Sequence, residues 1–442
     1  MLGAPAWLAY TALEGTFAYD AATYPATESV FLGAPSEGLV INNVMPSWSP
    51  DGARLAYFAG DHLEVREMTT HLPSMPVAFA QGLVSFSSAD SLAWSPDGKA
   101  VSFISGPALY IADPAVGAAA PHLVTPGYVP YYQWAPAGDG LVFQADDGFN
   151  YVRVRAGVPD APQELARSRA GWAWSRDGSK LIVQDGLDII LFDTSGTTVT
   201  RTPVVTNSSE RVAGAQFDFD GSLFSLYTEH GLSYASTSAP TALTLLSPVS
   251  GAVPDYARWH PKEPVLAFTV NASPTAVPDT WYYVTFGGDI ASAPARIPGA
   301  WQLVKWLPDR LALLAEDQSK GWSLVDLTGV TPVVTPYPLA DASGFYVTPA
   351  RAGDTVAFSA NQFAILASLS DPTLPTHSVT STQGDVNGLD WSHTAEYLAI
   401  LSAGPETHER LNVTRVDGTV PSPVKAVQAS MPTTAVRFFW QP

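Results

Sequence analysis

Apolar residues in this chain fall in short runs of four to six, rich in Val, Ile, Leu, Phe and Tyr and bounded by Gly, Pro, Asp and Ser. Runs of that length and composition predict β-strands. The runs come in sets. After Trp94, the turn Ser95-Pro96-Asp97-Gly98 leads to Ala100–Ile104, then Ala108–Asp113, then an outer strand near His122-Leu123-Val124. After Trp174 come Lys180–Val183, Asp188–Asp193 and Thr198–Val204, and after Trp391 come Tyr397–Leu401, Arg410–Val413 and Val424–Val427. Each set reads as four strands: an inner one ending at the Trp and three that follow it.

The set recurs ten times. The clearest copies are Trp48-Ser49-Pro50-Asp51-Gly52 and Trp94-Ser95-Pro96-Asp97-Gly98, and weaker ones begin at Trp134, Trp174, Phe217, Trp259, Trp306, Val347, Trp391 and Trp440. Successive intervals are 46, 40, 40, 43, 42, 47, 41, 44 and 49 residues. A period in the forties built of short strands predicts an all-β propeller with one four-stranded blade per repeat. The final inner strand stops at Trp440-Gln441-Pro442, while the chain opens on Trp7–Tyr10, Phe17–Asp20 and Glu28–Leu32, which read as second, third and fourth strands. Residues 434–442 and 1–35 are therefore expected to share one closing blade, giving ten blades in a single domain over residues 1–442. Two smaller propellers in series would need a second closure point and a linker, and the period shows no break between Phe217 and Trp259.

The motif has a physical reading without any ligand. Trp48, Trp94, Trp134, Trp174, Trp259, Trp306, Trp391 and Trp440 supply flat surface for packing between blades. Pro and Gly shape the turn, and an Asp side chain satisfies turn N–H groups. Asp51, Asp97, Asp177 and Asp220 are accordingly read as turn residues and not as catalytic carboxylates.

Pro46 to Tyr57, Pro-x-Trp-Ser-Pro-Asp-Gly-x-x-Leu-Ala-Tyr, resembles the WD40-like (PD40) repeat of TolB-type propellers, a repeat also similar to those in tricorn protease and prolyl oligopeptidase propellers. The resemblance spans the whole chain, with degenerate copies at Phe217 and Val347. It implies a protein-interaction component of a bacterial envelope or extracellular assembly, periplasmic or at the cell surface. It says little about activity, because such propellers serve as binding proteins, enzyme gates and scaffolds alike.

Charge narrows the partners. The chain has 442 residues, 22 Lys and Arg against 41 Asp and Glu, and a formal net charge of −19. Nucleic acid and anionic membrane surfaces demand a basic footprint, so neither is expected. No apolar run approaches the length of a membrane span, and the start Met1-Leu2-Gly3-Ala4-Pro5 has no basic n-region or apolar h-region. With no cysteine, disulfides, thiolate metal sites and cysteine nucleophiles are excluded.

Candidate chemistry is sparse. Asp218-Phe219-Asp220-Gly221 superficially resembles the start of a calcium loop, but the further oxygen ligands are missing and the segment falls in register with the repeat turn. The eight histidines, at 62, 71, 122, 230, 260, 377, 393 and 408, form no paired metal-binding motif. There is no Gly-x-Ser-x-Gly elbow, no P-loop and no dinucleotide fingerprint. Three N-x-S/T sequons begin at Asn207, Asn271 and Asn412; in a bacterial protein of the kind the resemblance implies, they carry little weight. No cofactor and no metal are expected.

The longer connections are more informative. Those from second to third strand, and from outer strand to the next inner strand, belong to the end opposite the repeat turns. Several are long: Gln81–Asp90, Thr125–Tyr131, Asn207–Val212, Ser247–Tyr256, Asn271–Thr280 and Ala403–Glu409. Tyr128, Tyr131, Tyr132 and Tyr256 cluster there, and tyrosine is a preferred interface anchor. The expectation is a non-enzymatic scaffold that presents this end to a protein partner. The alternative is a propeller enzyme or carbohydrate- or ligand-binding module with a site in the central channel, built from scattered acids and aromatics. A third reading is a structural subunit of a larger assembly.

Overall fold

The computed structural model describes residues 5–12, 15–23, 29–34, 45–80, 92–115, 120–145, 148–167, 171–206, 212–228, 231–246, 257–270, 280–299, 301, 303–317, 321–339, 346–350, 354–361, 363–374, 376–379, 385–403, 409–416, 427–428 and 437–442. Among these residues the only helical turn is the 3-10 segment Ala21–Thr23. The rest is a β-propeller of ten blades, eight with four strands and two with five. In the two larger blades the outer strand is split into two short pieces, as where Thr280–Gly287 pairs with both Ile290–Ala291 and Ala295–Arg296. Every blade is a fully antiparallel meander in sequence order, apart from one.

The exception is the closing blade. Its order is Val30–Gly33, Gly15–Asp20, Trp7–Ala12 and Arg437–Trp440, so strands from both ends of the sequence share one sheet, as the repeat count requires. Leu8 pairs with Trp440 and Thr11 with Arg437. This arrangement gives the C-terminal inner strand the partner that its continuous equivalents find within their own repeat.

The chain divides into two compact units. The first comprises Met1–Tyr132, Arg153–Pro162 and Pro338–Pro442 and includes the closing blade. The second comprises Gln133–Val152 and Gln163–Tyr337. Within each, the core lies between neighbouring blades. In the first unit Trp94, Leu92 and Phe103 pack on Ala56, Phe58 and Val65 of the preceding blade. In the second, Trp306, Val304 and Leu313 pack on Val265, Ala267 and Trp281. Of the eight repeat tryptophans, all but Trp174 are buried.

The indole N–H groups fix the register of this packing. Trp94 donates to the Ser47 carbonyl at 2.8 Å, Trp306 to Arg258 at 2.8 Å and Trp440 to Asp390 at 3.1 Å. Each acceptor immediately precedes the repeat Trp of the blade before. Trp391 donates to the Thr348 carbonyl at 2.9 Å, so the residue occupying the Trp position there is Pro349, not Val347. Strand pairing agrees: Pro349 faces Val356 as Trp48 faces Leu55. The degenerate repeat is thus two residues out of the register that its apolar pattern suggests, because Val347 is buried and mimics the missing Trp.

Candidate interaction surface

The repeat turns form one end of each blade, and their side chains are consumed by structure. Ser49 Oγ donates to Asp51 Oδ1 at 2.5 Å and accepts from the Arg54 N–H at 2.8 Å, while Asp51 Oδ1 also accepts from the Ala53 N–H at 3.0 Å. Ser95 with Asp97, and Ser175 with Asp177, repeat this arrangement. The hydrogen bond from Ser49 holds the Asp51 carboxyl below its usual range. Gly52, Gly98 and Gly178 close these turns at φ of 69°, 70° and 68°, a left-handed conformation natural to glycine. In the Trp391 blade Ala395 stands there, at φ 59°.

Two of the turns that lack the serine set another hydrogen-bonding side chain in its place. Asp218 takes its place in the Phe217 blade, and its Oδ1 accepts from the Leu223 N–H at 3.0 Å. Asp218 is 3% exposed. Burial, with the Asp220 carboxylate beside it, pushes its pKa up to about 6. The segment 218–221 is therefore a repeat turn. His260 takes the place in the Trp259 blade: Nδ1 accepts from the Lys262 and Glu263 N–H groups at 3.1 and 2.9 Å, which leaves Nε2–H to donate to the Leu307 and Arg310 carbonyls, both at 3.1 Å. It binds two consecutive turns together. The repeat pattern hides both roles, since neither residue resembles serine, yet their spacing after Phe217 and Trp259 places them.

The opposite end carries the long connections. Thr125–Tyr131 is pinned by Val129, which is buried and donates its N–H to the Pro107 carbonyl at 3.2 Å. Tyr128 and Tyr131 are displayed on either side of that anchor, 54% and 61% exposed. Tyr131 begins the inner strand Tyr131–Trp134, where exposure alternates: Tyr131 and Gln133 face solvent, and Trp134 faces the core. Tyr132, the even partner, is half-buried, and its hydroxyl donates to the Ser102 carbonyl of the preceding blade at 3.2 Å. Its place is structural. Tyr256 lies outside the described residues, as do the connections 81–90, 247–256 and most of 207–212, 271–280 and 403–409.

A cavity of about 320 Å³ in the first unit opens at the turn end beside the closing blade, lined by Asp51, Thr69, His393, Thr394, Trp440 and Gln441 among others. Among the described residues no group of three acidic or histidine side chains is placed to hold a metal ion, and no helix is long and apolar enough to cross a membrane.

No protein-family model matches the chain, and no curated protein does. Solved structures match by shape. One described as a eukaryotic initiation factor aligns with a TM-score of 0.53 at 10% identity, covering 99% of each chain. The dihydro-heme d1 dehydrogenase NirN in complex with DHE aligns with a TM-score of 0.49 at 14% identity, over 89% of this chain and 75% of that one. The Dos1 propeller gives 0.45 at 11% identity, over 70% and 88%. The likeness to the first is one of fold alone, and the propeller is that fold.

Proposed function

We propose that this chain is a non-enzymatic protein-interaction scaffold of the TolB-like kind. It would work in a bacterial envelope or extracellular assembly and bind a protein partner through the end that carries the long connections. The observation that carries this reading is the display of Tyr128 and Tyr131 on a loop anchored by buried Val129. Rigid aromatic side chains offer large contact area at low entropic cost, and they dominate interface energetics. The turn end supports the reading by contrast, because its polar side chains are spent on their own backbone.

The test is affinity capture from an envelope extract of the source organism, with the wild-type chain and a Tyr128→Ala/Tyr131→Ala variant side by side. A stoichiometric partner held by the wild type and lost by the variant supports the reading. A partner retained by the variant, or none at all, overturns it.

A further inference from the structure

Asn387 is followed by Gly388, and no other asparagine of this chain precedes a glycine. The pair stands near the start of the inner strand Val386–Trp391, at the end of its blade opposite the repeat turn. Val386 pairs with Ser402 and Gly388 with Leu401, so Asn387 is the extra residue of a β-bulge. Asn387 is exposed, while Val386 before it is buried.

The same bulge occurs in the Phe217 blade. There Val212 pairs with Thr228 and Gly214 with Tyr227, which leaves Ala213 as the extra residue. Gly214 and Gly388 each lie three residues before the end of their inner strand. A Cβ at Gly214 would come within 2.2 Å of the Tyr227 ring, so that glycine answers to packing. The extra position makes no comparable demand, because alanine fills it in one blade and asparagine in the other. The bulge accounts for a glycine at 388 and does not call for an asparagine at 387.

We infer that Asn387 is a self-modification site, which converts to aspartate and isoaspartate in the folded chain. Asparagine is a thermolabile residue, and three features favour reaction here. The bulge frees Asn387 from the paired ladder that holds a strand residue extended. Glycine has no Cβ to obstruct approach to its nitrogen, and exposure admits water. The Gly388 main-chain nitrogen gives its proton to solvent and attacks Asn387 Cγ. The new C–N bond closes a five-membered succinimide as the Cγ–Nδ2 bond breaks and ammonia leaves. One water then opens the ring. Opening at Cγ gives aspartate, and opening at the Asn387 main-chain carbonyl gives isoaspartate. No electrons are exchanged with any other molecule.

The surrounding strand is held on both sides of the bulge. The Val386 N–H donates to the Asn361 carbonyl of the preceding blade at 2.8 Å. The Trp391 indole donates to the Thr348 carbonyl at 2.9 Å. The additional main-chain atom of isoaspartate is therefore confined to the bulge. Either product adds a carboxylate to a strand end that already carries Asp385 and Asp390.

The experiment is peptide mapping by mass spectrometry of the full chain, aged in its native state at neutral and at mildly alkaline pH. Asn387 is expected to convert, and to do so faster at the higher pH, because the attacking nitrogen must lose its proton. Asn150 and Asn412, which have partners in their strand ladders, should remain amides. Asn387→Gln should abolish conversion at this position, since the longer side chain closes a less favourable six-membered ring. Asn387→Ala should keep the unfolding midpoint of the fresh chain, as Ala213 at the equivalent position implies. A chain whose Asn387 survives in the native state and converts only in urea would show that the fold protects it, which would overturn the inference. Equal conversion of Asn387, Asn150 and Asn412 in the native chain would also overturn it, because the bulge would then have no part in the reaction.

Discussion

Gln441 does for the closing blade what a serine and an arginine do for the blade after it. Its Oε1 accepts from the Trp7 N–H at 3.3 Å, as Ser49 Oγ accepts from Arg54. Its Nε2 donates to the Gly52 carbonyl of the next turn at 2.7 Å, as Arg54 Nη2 donates to Gly98 at 2.7 Å. The strands of this blade come from opposite ends of the sequence, so one side chain supplies the link that a continuous turn makes elsewhere.

Gln441→Ala should therefore destabilise the fold by about 1–2 kcal/mol, the usual value of two part-buried hydrogen bonds. Urea unfolding followed by tryptophan fluorescence measures this. Gln441→Glu keeps the acceptor and loses the donor to Gly52, and it should fall between the two.

Asp218 makes stability depend on pH in the direction opposite to a salt-bridged aspartate. Its pKa is about 6 in the folded chain against an ordinary value near 3.8 when unfolded. Between those values the folded state holds a proton that the unfolded state has lost. The stabilising effect is complete below the unfolded value and is lost as pH rises through 6. Asp218→Ser restores the turn seen at Ser49 and Ser95. Relative to wild type it should gain on the order of 2 kcal/mol at pH 7 over its value at pH 4. Equal differences at the two pH values would show that Asp218 does not titrate as the geometry requires.

Ala395 holds a left-handed conformation that glycine holds in the corresponding turns. Ala395→Gly should stabilise the chain by up to about 1 kcal/mol, the strain of a Cβ there less the added freedom of the unfolded glycine. The reverse change, Gly98→Ala, should destabilise by a similar amount. Thermal unfolding of the two variants gives the signs directly.

Tyr131 and Tyr132 are neighbours with different work to do. Tyr131→Ala should leave the unfolding midpoint unchanged and weaken partner capture. Tyr132→Ala should lower the midpoint, through a loss of about 2 kcal/mol or more of stability for a half-buried ring that also donates a hydrogen bond. A Tyr131→Ala variant that unfolds as readily as Tyr132→Ala would mean that Tyr131 is part of the packing.

The sequence by itself determined the repeat, and through it the all-β class, the ten blades, the sharing of one sheet by Trp7–Ala12 and Arg437–Trp440, and the turn role of Asp51, Asp97, Asp177 and Asp220. These are local or periodic properties: a turn needs its Gly and Asp at fixed spacing, and a strand needs its apolar run. Only the tertiary structure decided that Pro349 stands where a Trp would, that His260 and Asp218 take the serine's place, and that Gln441 joins two ends of the chain. It also separated Tyr131, which is exposed, from Tyr132, which packs on the preceding blade. Each of these depends on which neighbour a side chain meets across a blade interface, and period alone carries no record of that contact.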